Sequence, residues 1–419
     1  GNEQPVTLHR EQSAVLKELL SGQSLLLSAP TSFGKSFIID ALIAIKQPEN
    51  VLIIVPTIAL LDECRRRIFK KFSDTYKVIS TAGCELAERN ILVLTAERAL
   101  HYANSLQKVG LDVLIVDEFY KIDSDDERAQ SLQLLVSRVD LFTRQRYFLA
   151  PNIKRLADDS FFTKGMSFIE KLDFSTVFLN KIDVFSSLPK GKTKKGNQSS
   201  NVDLEAKCTY LIEQILSINT KKTLIYAGSY AQIKFLSERI TSKINSPFCD
   251  NLNNLSTWIA SNYHVDWSLA KLVKKGYGWH NGRLHRALAQ IQLKLFEEIN
   301  GLRGVLCTSS VIEGVNTQAE QVVLWNKKNG RSNITSFEYK NIMGRAGRMF
   351  KYFVGDVFIM EKPPEDSNDE QLELSLDENS TLSLTIADEQ TSRTPEQIAE
   401  IIRYKEDMKG LFGGQSIEQ

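Results

Sequence analysis

The chain has 419 residues, of which 42% are hydrophobic and 25% charged, a composition typical of globular proteins and not of disordered or fibrous ones. This length exceeds that of a single hydrophobic core, so we expect two domains. The formal net charge of +1 excludes a strongly basic molecule, and any contact with nucleic acid must come from a local basic surface.

Residue usage also argues against disulfide-rich, zinc-ribbon and membrane-spanning proteins. The five cysteines are widely spaced and form no CxxC pair. No apolar run is long enough to cross a bilayer, and the first residues show no targeting pattern. We therefore expect no membrane partner and a cytoplasmic location, or a nuclear one in a eukaryote.

Short apolar runs alternate with helical patterns from Ser24 to about Phe185. The runs are LLLS, VLIIV, ILVLT, VLIVDE and RYFLA, and strands that are apolar on both faces belong to a parallel sheet covered by helices. A second series, from TLIYA to VFIME, shows the same alternation. The predicted fold class is α/β, with two parallel sheets that are each flanked by helices.

Shifts in composition set the expected domain boundaries. Residues 187–203 are rich in Gly, Ser and Lys and are predicted to form a flexible linker. The first domain is then 1–186 and the second 204–362. Residues 363–419 are predicted to be an acidic segment followed by a C-terminal helix with Thr394 as its N-cap.

The string APTSFGKS at residues 29–36 stands between a predicted strand and a predicted helix, which is the setting of a phosphate-binding loop. In such a loop, backbone N–H groups hold the phosphates, Lys35 neutralises the β and γ oxygens, and Ser36 offers a hydroxyl to magnesium. The strict pattern has Gly where Ala29 stands. An ordinary strand-turn-helix with an exposed lysine is therefore the alternative.

Two charged pairs complete the expected nucleotide site. Asp117 and Glu118 end an apolar strand, at the sheet edge where ligands bind in open α/β folds. There Asp117 would hold magnesium and Glu118 would activate the attacking water. In the second domain, Arg345 and Arg348 are predicted to share one helix face and to stabilise charge on the γ-phosphoryl group. A solvated acidic turn and a solvated helix face are the respective alternatives.

In chain order, the motifs are LHREQSAVL, APTSFGKS, VPTIALLDECRRR, LTAERAL, VDEFY, FLAPN, TLIYAGS, GYGWHNGRLHR, TSSVIEGVN and NIMGRAGR. This series resembles that of superfamily 2 (DExD/H-box) helicases. The last three motifs are most similar to the superkiller-like DExH branch, with DEFY as a variant of the acidic motif. The resemblance implies two tandem RecA-like domains that hydrolyse ATP with Mg²⁺ between them while they hold a strand of DNA or RNA.

The resemblance also implies roles for individual residues. The catalytic residues would be Lys35, Glu118, Arg345 and Arg348, while Ser36 and Asp117 would hold the metal. The nucleotide would be bound by Gln12, which reads adenine, and by Pro30, Thr31, Ser32, Phe33, Gly34, Lys35, Ser36, Gly314 and Asn316. The strand would be contacted by Pro56, Thr57, Arg65, Thr95, Ala96, Glu97, Gly228, Ser229, Thr308 and Ser309.

The segment between the last two motifs contains Asn329-Gly330, a strong signal for a tight hairpin. In the resembling branch a hairpin at this place separates strands, so Lys327, Lys328 and Arg331 would meet phosphates. A surface hairpin with solvated charges is the alternative.

Other positions depart from the family's pattern or allow two interpretations. Tyr120 stands where the family carries His, and Ala150-Pro-Asn152 stands where it carries SAT, so the link between the ATP site and the strand is expected to be rewired. The basic residues within 65–71 could line the strand channel or form the solvated face of a helix.

The expected function is that of an ATP-dependent helicase or translocase that moves 3′ to 5′, with DNA weakly favoured over RNA. The alternatives are a remodelling subunit that does not separate strands, for example in a bacterial defence or repair complex, and an ATP-gated clamp with little turnover. The expected partners are single-stranded or partly duplex DNA or RNA, and a protein that supplies the accessory domains usual in the resembling branch.

Overall fold

The computed structural model describes residues 8–30, 33–123, 127–151, 153, 155–156, 161–172, 174, 177–192, 198–218, 220–245, 249–309, 317, 319–347, 352–364 and 373–374. They form two compact units. The first unit takes its described residues from Gly1–Ala29, Gly34–Leu172 and Leu372–Gln419, and the second takes them from Pro30–Phe33 and Asp173–Gln371.

The first unit is built on a seven-stranded sheet with the order β3-β4-β2-β5-β6-β1-β8, in which all pairs are parallel. Its strands are β1 (Leu25–Ser28), β2 (Asn50–Ile54), β3 (Lys77–Ile79), β4 (Asn90–Leu94), β5 (Leu111–Val116), β6 (Thr143–Ala150), β7 (Arg155–Leu156) and β8 (Ser167–Glu170). Its helices are α1 (Arg10–Leu20), α2 (Lys35–Lys46), α3 (Ile58–Phe72), α4 (Ala96–Leu100), α5 (Ala103–Val109) and α6 (Glu127–Asp140). The short strand β7 pairs with Glu373–Leu374 outside the main sheet.

The central strands of this sheet are apolar because helices cover both of its faces. One row of side chains crosses the sheet in register and is buried, and its members are Leu94, Ile54, Val116, Phe148 and Leu26. Burying such a side chain contributes about 1.5–3 kcal/mol, so this row holds the strand ends in fixed relative positions. The loops at the carboxyl edge are thereby carried on a rigid base.

The second unit is built on a six-stranded parallel sheet with the order β13-β14-β12-β15-β18-β9. Its strands are β9 (Phe178–Asp183), β10 (Lys190–Lys192), β11 (Gln198–Val202), β12 (Thr223–Tyr226), β13 (Tyr277–His280), β14 (Gly304–Cys307), β15 (Gln321–Leu324), β16 (Lys328–Asn329), β17 (Ser332–Asn333) and β18 (Val354–Ile359). Its helices are α7 (Leu204–Thr209, continued by π-helical turns over Tyr210–Leu216), α8 (Tyr230–Lys243), α9 (Asp250–Asn262), α10 (Ser268–Lys274), α11 (Arg286–Glu297) and α12 (Ser336–Met343).

These two parallel sheets with flanking helices confirm the predicted α/β fold class and are consistent with the two RecA-like domains that the resemblance implies. No helix among the described residues combines the length and the apolar character needed to cross a membrane. The predicted C-terminal helix beginning at Thr394 lies outside the described residues.

The division between the units differs from the predicted boundary. Strand β9 precedes residue 187 but pairs with β18, so it belongs to the second sheet. The predicted linker at 187–203 contains β10 and β11, which pair antiparallel. The Asp203 N–H donates to the Pro189 carbonyl oxygen at 2.8 Å, and Lys190 Nζ lies 3.8 Å from the centroid of the Phe185 ring. The Lys- and Gly-rich composition predicted a linker because the segment is held by backbone hydrogen bonds and a cation–π contact. Such contacts produce no periodic apolar pattern in the sequence.

Candidate nucleotide and nucleic-acid sites

The loop after β1 has the backbone geometry of a phosphate-binding turn. Gly34 is left-handed, with φ 81° and ψ 35°, at the N-cap of α2, and no side chain of the described residues caps the helix there. Only glycine adopts this conformation without steric cost. The positive end of the helix dipole is therefore presented to an anion.

Lys35 lies across this loop instead of pointing into solvent. It is only 8% exposed, and its Nζ donates to the Ala29 carbonyl oxygen at 3.2 Å. This contradicts the alternative of an exposed lysine after an ordinary turn, because a solvated lysine would not return to its own loop. Of the other predicted loop residues, Pro30 is half-buried and Phe33 is buried, while Thr31 and Ser32 lie outside the described residues.

Asp117 and Glu118 follow β5 at the sheet edge where β1 and β6 also end. The Asp117 N–H donates to the Ile54 carbonyl oxygen at 2.9 Å, and the Glu118 N–H donates to Asp117 Oδ1 at 3.0 Å. Glu118 has φ 55°, a left-handed conformation that costs a non-glycine residue about 1–2 kcal/mol. Such strain persists where neighbouring contacts hold it and is concentrated at functional sites. Both side chains are half-buried, so the pair is not a fully solvated turn.

The segment after β6 is tied to the strand that leads into the phosphate loop. Ser28 Oγ donates to the Ile153 carbonyl oxygen at 2.5 Å and accepts from the Ile153 N–H at 2.8 Å. The Ala29 N–H donates to the Ala150 carbonyl oxygen at 3.0 Å. A change in the backbone conformation after β6 would therefore displace the start of the phosphate loop. Asn152, which was predicted to act here, lies outside the described residues.

Arg67 of α3 binds the helix of the phosphate loop, which corrects the interpretation of the basic run as one strand-facing surface. Its Nη1 donates to the Ser36 carbonyl oxygen and to Asp40 Oδ1, both at 2.6 Å, and Lys71 Nζ pairs with Asp40 Oδ2 at 2.7 Å. These two cations neutralise a carboxylate that is only 9% exposed, so removing either cation would leave buried negative charge without compensation. The sequence signal was Asp40 itself, an acid within the otherwise apolar helix KSFIIDALIAIK.

Within the same run, Arg66 and Lys70 are exposed and Arg65 is half-buried, so these three residues can still face a strand. The preceding Thr57 is the N-cap of α3, where its Oγ1 accepts from the Leu60 N–H at 3.3 Å. Pro56 lies beside it and is half-buried. The predicted strand contacts of these residues stay predictions.

The other predicted positions of the first unit are more buried than their roles suggest. Gln12 is fully buried, and its Oε1 accepts from the His9 N–H at 2.9 Å in a capping box that begins α1. Thr95 and Ala96 are each 7% exposed at the start of α4, whereas Glu97 is half-buried. Reading of adenine by Gln12 and strand contact by 95–97 stay predictions.

In the second unit, Gly228 joins the loop after β12 to the hairpin that follows β15. It has φ 72°, and a Cβ at this position would lie 2.0 Å from the Lys328 carbonyl oxygen. Its N–H donates to the Cys307 carbonyl oxygen at 3.4 Å, and its carbonyl oxygen accepts from the Gly330 N–H at 2.9 Å. Both of its backbone groups therefore have partners within the protein. The adjacent Ser229 caps α8, and its Oγ accepts from the Gln232 N–H at 3.4 Å.

The predicted hairpin is present, but its turn lies one residue later than predicted. Asn329 pairs with Ser332, so Gly330 and Arg331 are the two turn residues. Asn329 is the last strand residue because its Nδ2 donates to Glu338 Oε1 at 3.1 Å, which ties the hairpin to α12. Of the basic residues, Lys328 and Arg331 are exposed and Lys327 is half-buried.

Arg345 follows the end of a helix, so it does not lie on the helix face that was predicted to carry both arginines. Helix α12 ends at Met343 with Gly344 as its C-cap, and Ala346 forms a parallel bridge with Ala319. The Arg345 carbonyl oxygen accepts from the Ala319 N–H at 3.0 Å. Arg345 is 6% exposed, and Arg348 lies outside the described residues.

Other predicted positions of the second unit lie near the carboxyl ends of its strands. Thr308 and Ser309 follow β14 and are half-buried, and the Thr308 N–H donates to the His280 carbonyl oxygen at 3.3 Å. Gly314 and Asn316 lie outside the described residues.

At the same edge, sequence reasoning missed Tyr230, Asn281 and Arg283. Tyr230 Oη donates to Asn281 Oδ1 at 2.5 Å, and Arg283 lies over the tyrosine ring. The available signal was an aromatic residue directly after the predicted loop Gly228-Ser229.

The donors of the first unit fit a magnesium ion. Among the described residues, no group of three or more His, Cys, Asp or Glu side chains could hold a metal. Mg²⁺ at a nucleotide site needs only one or two protein oxygen ligands, because substrate phosphates and water supply the others. The Ser36 hydroxyl and the Asp117 carboxylate are ligands of that kind.

Comparison with known proteins agrees with this geometry. Residues 9–152 match the DEAD/DEAH box helicase family, a range that spans the phosphate loop, the Asp117-Glu118 turn and the segment after β6. Residues 9–152 of the chain are therefore similar to a DEAD/DEAH box helicase domain. Helicases of this family use ATP, generally with Mg²⁺, and act on nucleic acid.

The chain is similar to several curated proteins over most of its own length. It is 32% identical over 382 residues to Anti-bacteriophage protein B of Escherichia coli (strain K12), a match that covers 88% of the chain and 49% of that protein. It is 25% identical over 388 residues to ATP-dependent DNA helicase Hel308 of Pyrococcus horikoshii, covering 85% and 51%. It is 23% identical over 387 residues to Helicase POLQ-like of Caenorhabditis elegans, covering 84% and 41%. The chain spans about half the length of these relatives or less.

Proposed function

We propose that the chain is an ATP-driven motor that tracks a single nucleic-acid strand 3′ to 5′, with DNA favoured over RNA. The observation that carries the proposal is the pairing, on one rigid sheet edge, of an uncapped left-handed phosphate turn with the strained Asp117-Glu118 turn. A protein that only binds ATP has no need of a carboxylate held under strain near the phosphate site. Relatives named DNA helicase Hel308 and Helicase POLQ-like support DNA as the track.

The proposed chemistry divides among residues by charge and position. Lys35 neutralises charge on the β and γ oxygens, Glu118 orients the attacking water and accepts its proton, and Arg345 and Arg348 stabilise the γ-phosphoryl charge. Ser36 and Asp117 would hold Mg²⁺, which supplies Lewis-acid stabilisation of the phosphate oxygens when bound. We also propose that the chain belongs to the superkiller-like DExH branch, with DEFY as a variant of the acidic motif, and that the two RecA-like units hydrolyse ATP together.

Phosphate release from Mg-ATP tests the motor. The rate is measured without polymer, with single-stranded DNA and with single-stranded RNA, for wild type, for Glu118→Gln and for Glu88→Gln as a matched control at an exposed glutamate. We expect DNA to stimulate release, and Glu118→Gln to lower the stimulated rate by about 100-fold or more because the water loses its base. Glu88→Gln should behave as wild type. A rate that neither polymer changes and that Glu118→Gln leaves intact would exclude the motor.

Strand displacement then separates unwinding from translocation. Partly duplex DNA with a 3′ overhang should be unwound and the same duplex with a 5′ overhang should not. Stimulated ATP hydrolysis without displacement on either substrate would favour the remodelling subunit, and tight strand binding with negligible turnover would favour the ATP-gated clamp.

We also propose a role in bacterial antiviral defence, which rests on the similarity to a protein named Anti-bacteriophage protein B. Plaque counts on bacteria that express the chain, compared with Lys35→Ala, would test it. Protection that is absent in wild type, or that is equal in Lys35→Ala, would exclude an ATP-driven role in defence.

A further inference from the structure

An exposed tyrosine at the edge of the second sheet is held in a fixed orientation by two neighbours. Tyr230 is the first residue of α8 and is 42% exposed. Its hydroxyl donates to Asn281 Oδ1 at 2.5 Å, and the same oxygen accepts from the Arg283 N–H at 3.0 Å. The guanidinium carbon of Arg283 lies 5.2 Å from the centroid of the ring. We call these three residues the Tyr230 cluster.

The cluster does not have the features expected of a packing contact. A tyrosine that served the core would bury its ring, whereas this ring is fixed at its hydroxyl end and remains exposed in part. Asn281 is 5% exposed, so the hydroxyl is anchored to a rigid part of the protein. Arg283 is exposed and supplies a positive charge beside the ring. An ordered aromatic ring with an adjacent arginine is the arrangement that stacks on nucleobases.

The basic hairpin lies beside the cluster in the same unit. The Gly228 carbonyl oxygen accepts from the Gly330 N–H at 2.9 Å, so the turn of the hairpin lies against the loop that leads directly to Tyr230. Lys328 and Arg331 of this hairpin are exposed. The loops come from β12, β13 and β15, which lie close together in the sheet order β13-β14-β12-β15. Positive charges for phosphates and a ring for a base therefore occur on one edge.

We propose that Tyr230, oriented by Asn281 and Arg283, is a stacking platform for a nucleobase of the bound polynucleotide, next to a phosphate contact at the hairpin. This proposal rests on the proposed function, which it deepens with a base contact where the predicted contacts were to sugar and phosphate. Stacking is tolerant of sequence because every base has a π face, as a motor that moves along a strand requires.

Binding of fluorescently labelled oligothymidylate, measured by anisotropy, tests the platform in the full chain. Wild type, Tyr230→Ala, Tyr230→Phe and the control Tyr263→Ala are compared on the normal strand and on an abasic strand of equal length. Tyr263 is a suitable control because it is a similarly exposed tyrosine, at 46%, in the same unit. Trp258 and Trp267 neighbour its ring.

We expect Tyr230→Ala to weaken binding of the normal strand about tenfold and to leave binding of the abasic strand unchanged. Tyr230→Phe should retain most of the affinity because the ring is kept, and Tyr263→Ala should match wild type. Unchanged abasic binding also shows that Tyr230→Ala is folded.

Three results would overturn the platform. Equal loss on normal and abasic strands would mean that Tyr230 only supports the loop. A raised KM for ATP with unchanged strand affinity would assign the ring to the adenine of ATP. A wild-type chain that binds neither strand would exclude the proposed function itself, and this outcome is distinct because no variant is needed to see it.

Discussion

The buried His280 makes the stability of the second unit depend on pH. It ends β13 and is 8% exposed, and burial lowers the pKa of its imidazole from 6.5 to about 4. A folded-state pKa below the unfolded value means that the folded unit favours the neutral form. The contribution of neutral His280 to the free energy of unfolding is fully present above pH 6.5 and is lost as the pH falls towards 4. The reason is that the unfolded chain binds the proton at a higher pH than the folded unit does.

The magnitude follows from that difference. Each pKa unit corresponds to about 1.4 kcal/mol, so complete protonation would cost about 3 kcal/mol, of which about 2 kcal/mol is already lost at about pH 5. A cost of 2 kcal/mol is a large fraction of the stability of a typical domain. His280→Gln removes the titration, so the variant should lack this component of the pH dependence.

Tryptophan fluorescence during urea unfolding measures the free energy of unfolding of the second unit alone. The chain has four tryptophans, all within the second unit: Trp258, Trp267, Trp279 and Trp325. Between about pH 7.5 and about pH 5, the free energy of unfolding of wild type should fall by about 2 kcal/mol more than that of His280→Gln. The exposed His264 provides the control, since His264→Gln should keep the wild-type dependence. Equal falls in wild type and His280→Gln would refute the reasoning.

Three further predictions concern a close backbone contact in the second unit and the phosphate loop with its neighbours in the first unit. Gly228→Ala should destabilise the second unit by about 1–3 kcal/mol in the same fluorescence assay, because a methyl group meets the Lys328 carbonyl oxygen and the backbone is left-handed; an unchanged urea midpoint would contradict the close approach. Arg67→Met should speed hydrogen exchange in α2, since Asp40 loses one of its two cations, and exchange equal to wild type would show that the pair is not stabilising. Lys35→Ala should lower phosphate release about 100-fold or more, and retained release would exclude its role at the γ-phosphate.

Several contacts at the two sheet edges are beyond prediction from sequence, and Arg67 shows why. Within RRR, each arginine has the same composition and nearly the same neighbours, yet one is exposed, one half-buried and one bound to Asp40 and the Ser36 carbonyl oxygen. Which of them faces α2 depends on the angle at which α3 packs against it, and helix packing is set by side chains far away in sequence. The Tyr230 cluster could not be predicted for the same reason, because Asn281 is 51 positions from Tyr230, its hydrogen-bond partner.

Local patterns can also mislead when a tertiary contact overrides them. The GRAGR segment suggested a helix face because its arginines have helical spacing, but α12 ends at Met343, Arg345 lies in a turn, and Ala346 forms a bridge with Ala319. The hairpin turn moves from Asn329-Gly330 to Gly330-Arg331 because Asn329 binds Glu338. In both cases the competing partner lies outside the local sequence window.

The sequence by itself determined the class of the molecule: two parallel sheets, a phosphate loop ahead of Lys35, and acidic residues at the carboxyl edge where such folds bind ligands. These features follow from hydrophobic periodicity and from glycine positions, which act over a few residues. Only the tertiary structure decided which distant groups meet, as with Arg67 and Asp40, the hairpin and Gly228, and Tyr230 with Asn281 and Arg283. Parallel strands require long crossovers, so the loops that share one edge come from distant parts of the chain, and their contacts exist only once the sheets have formed.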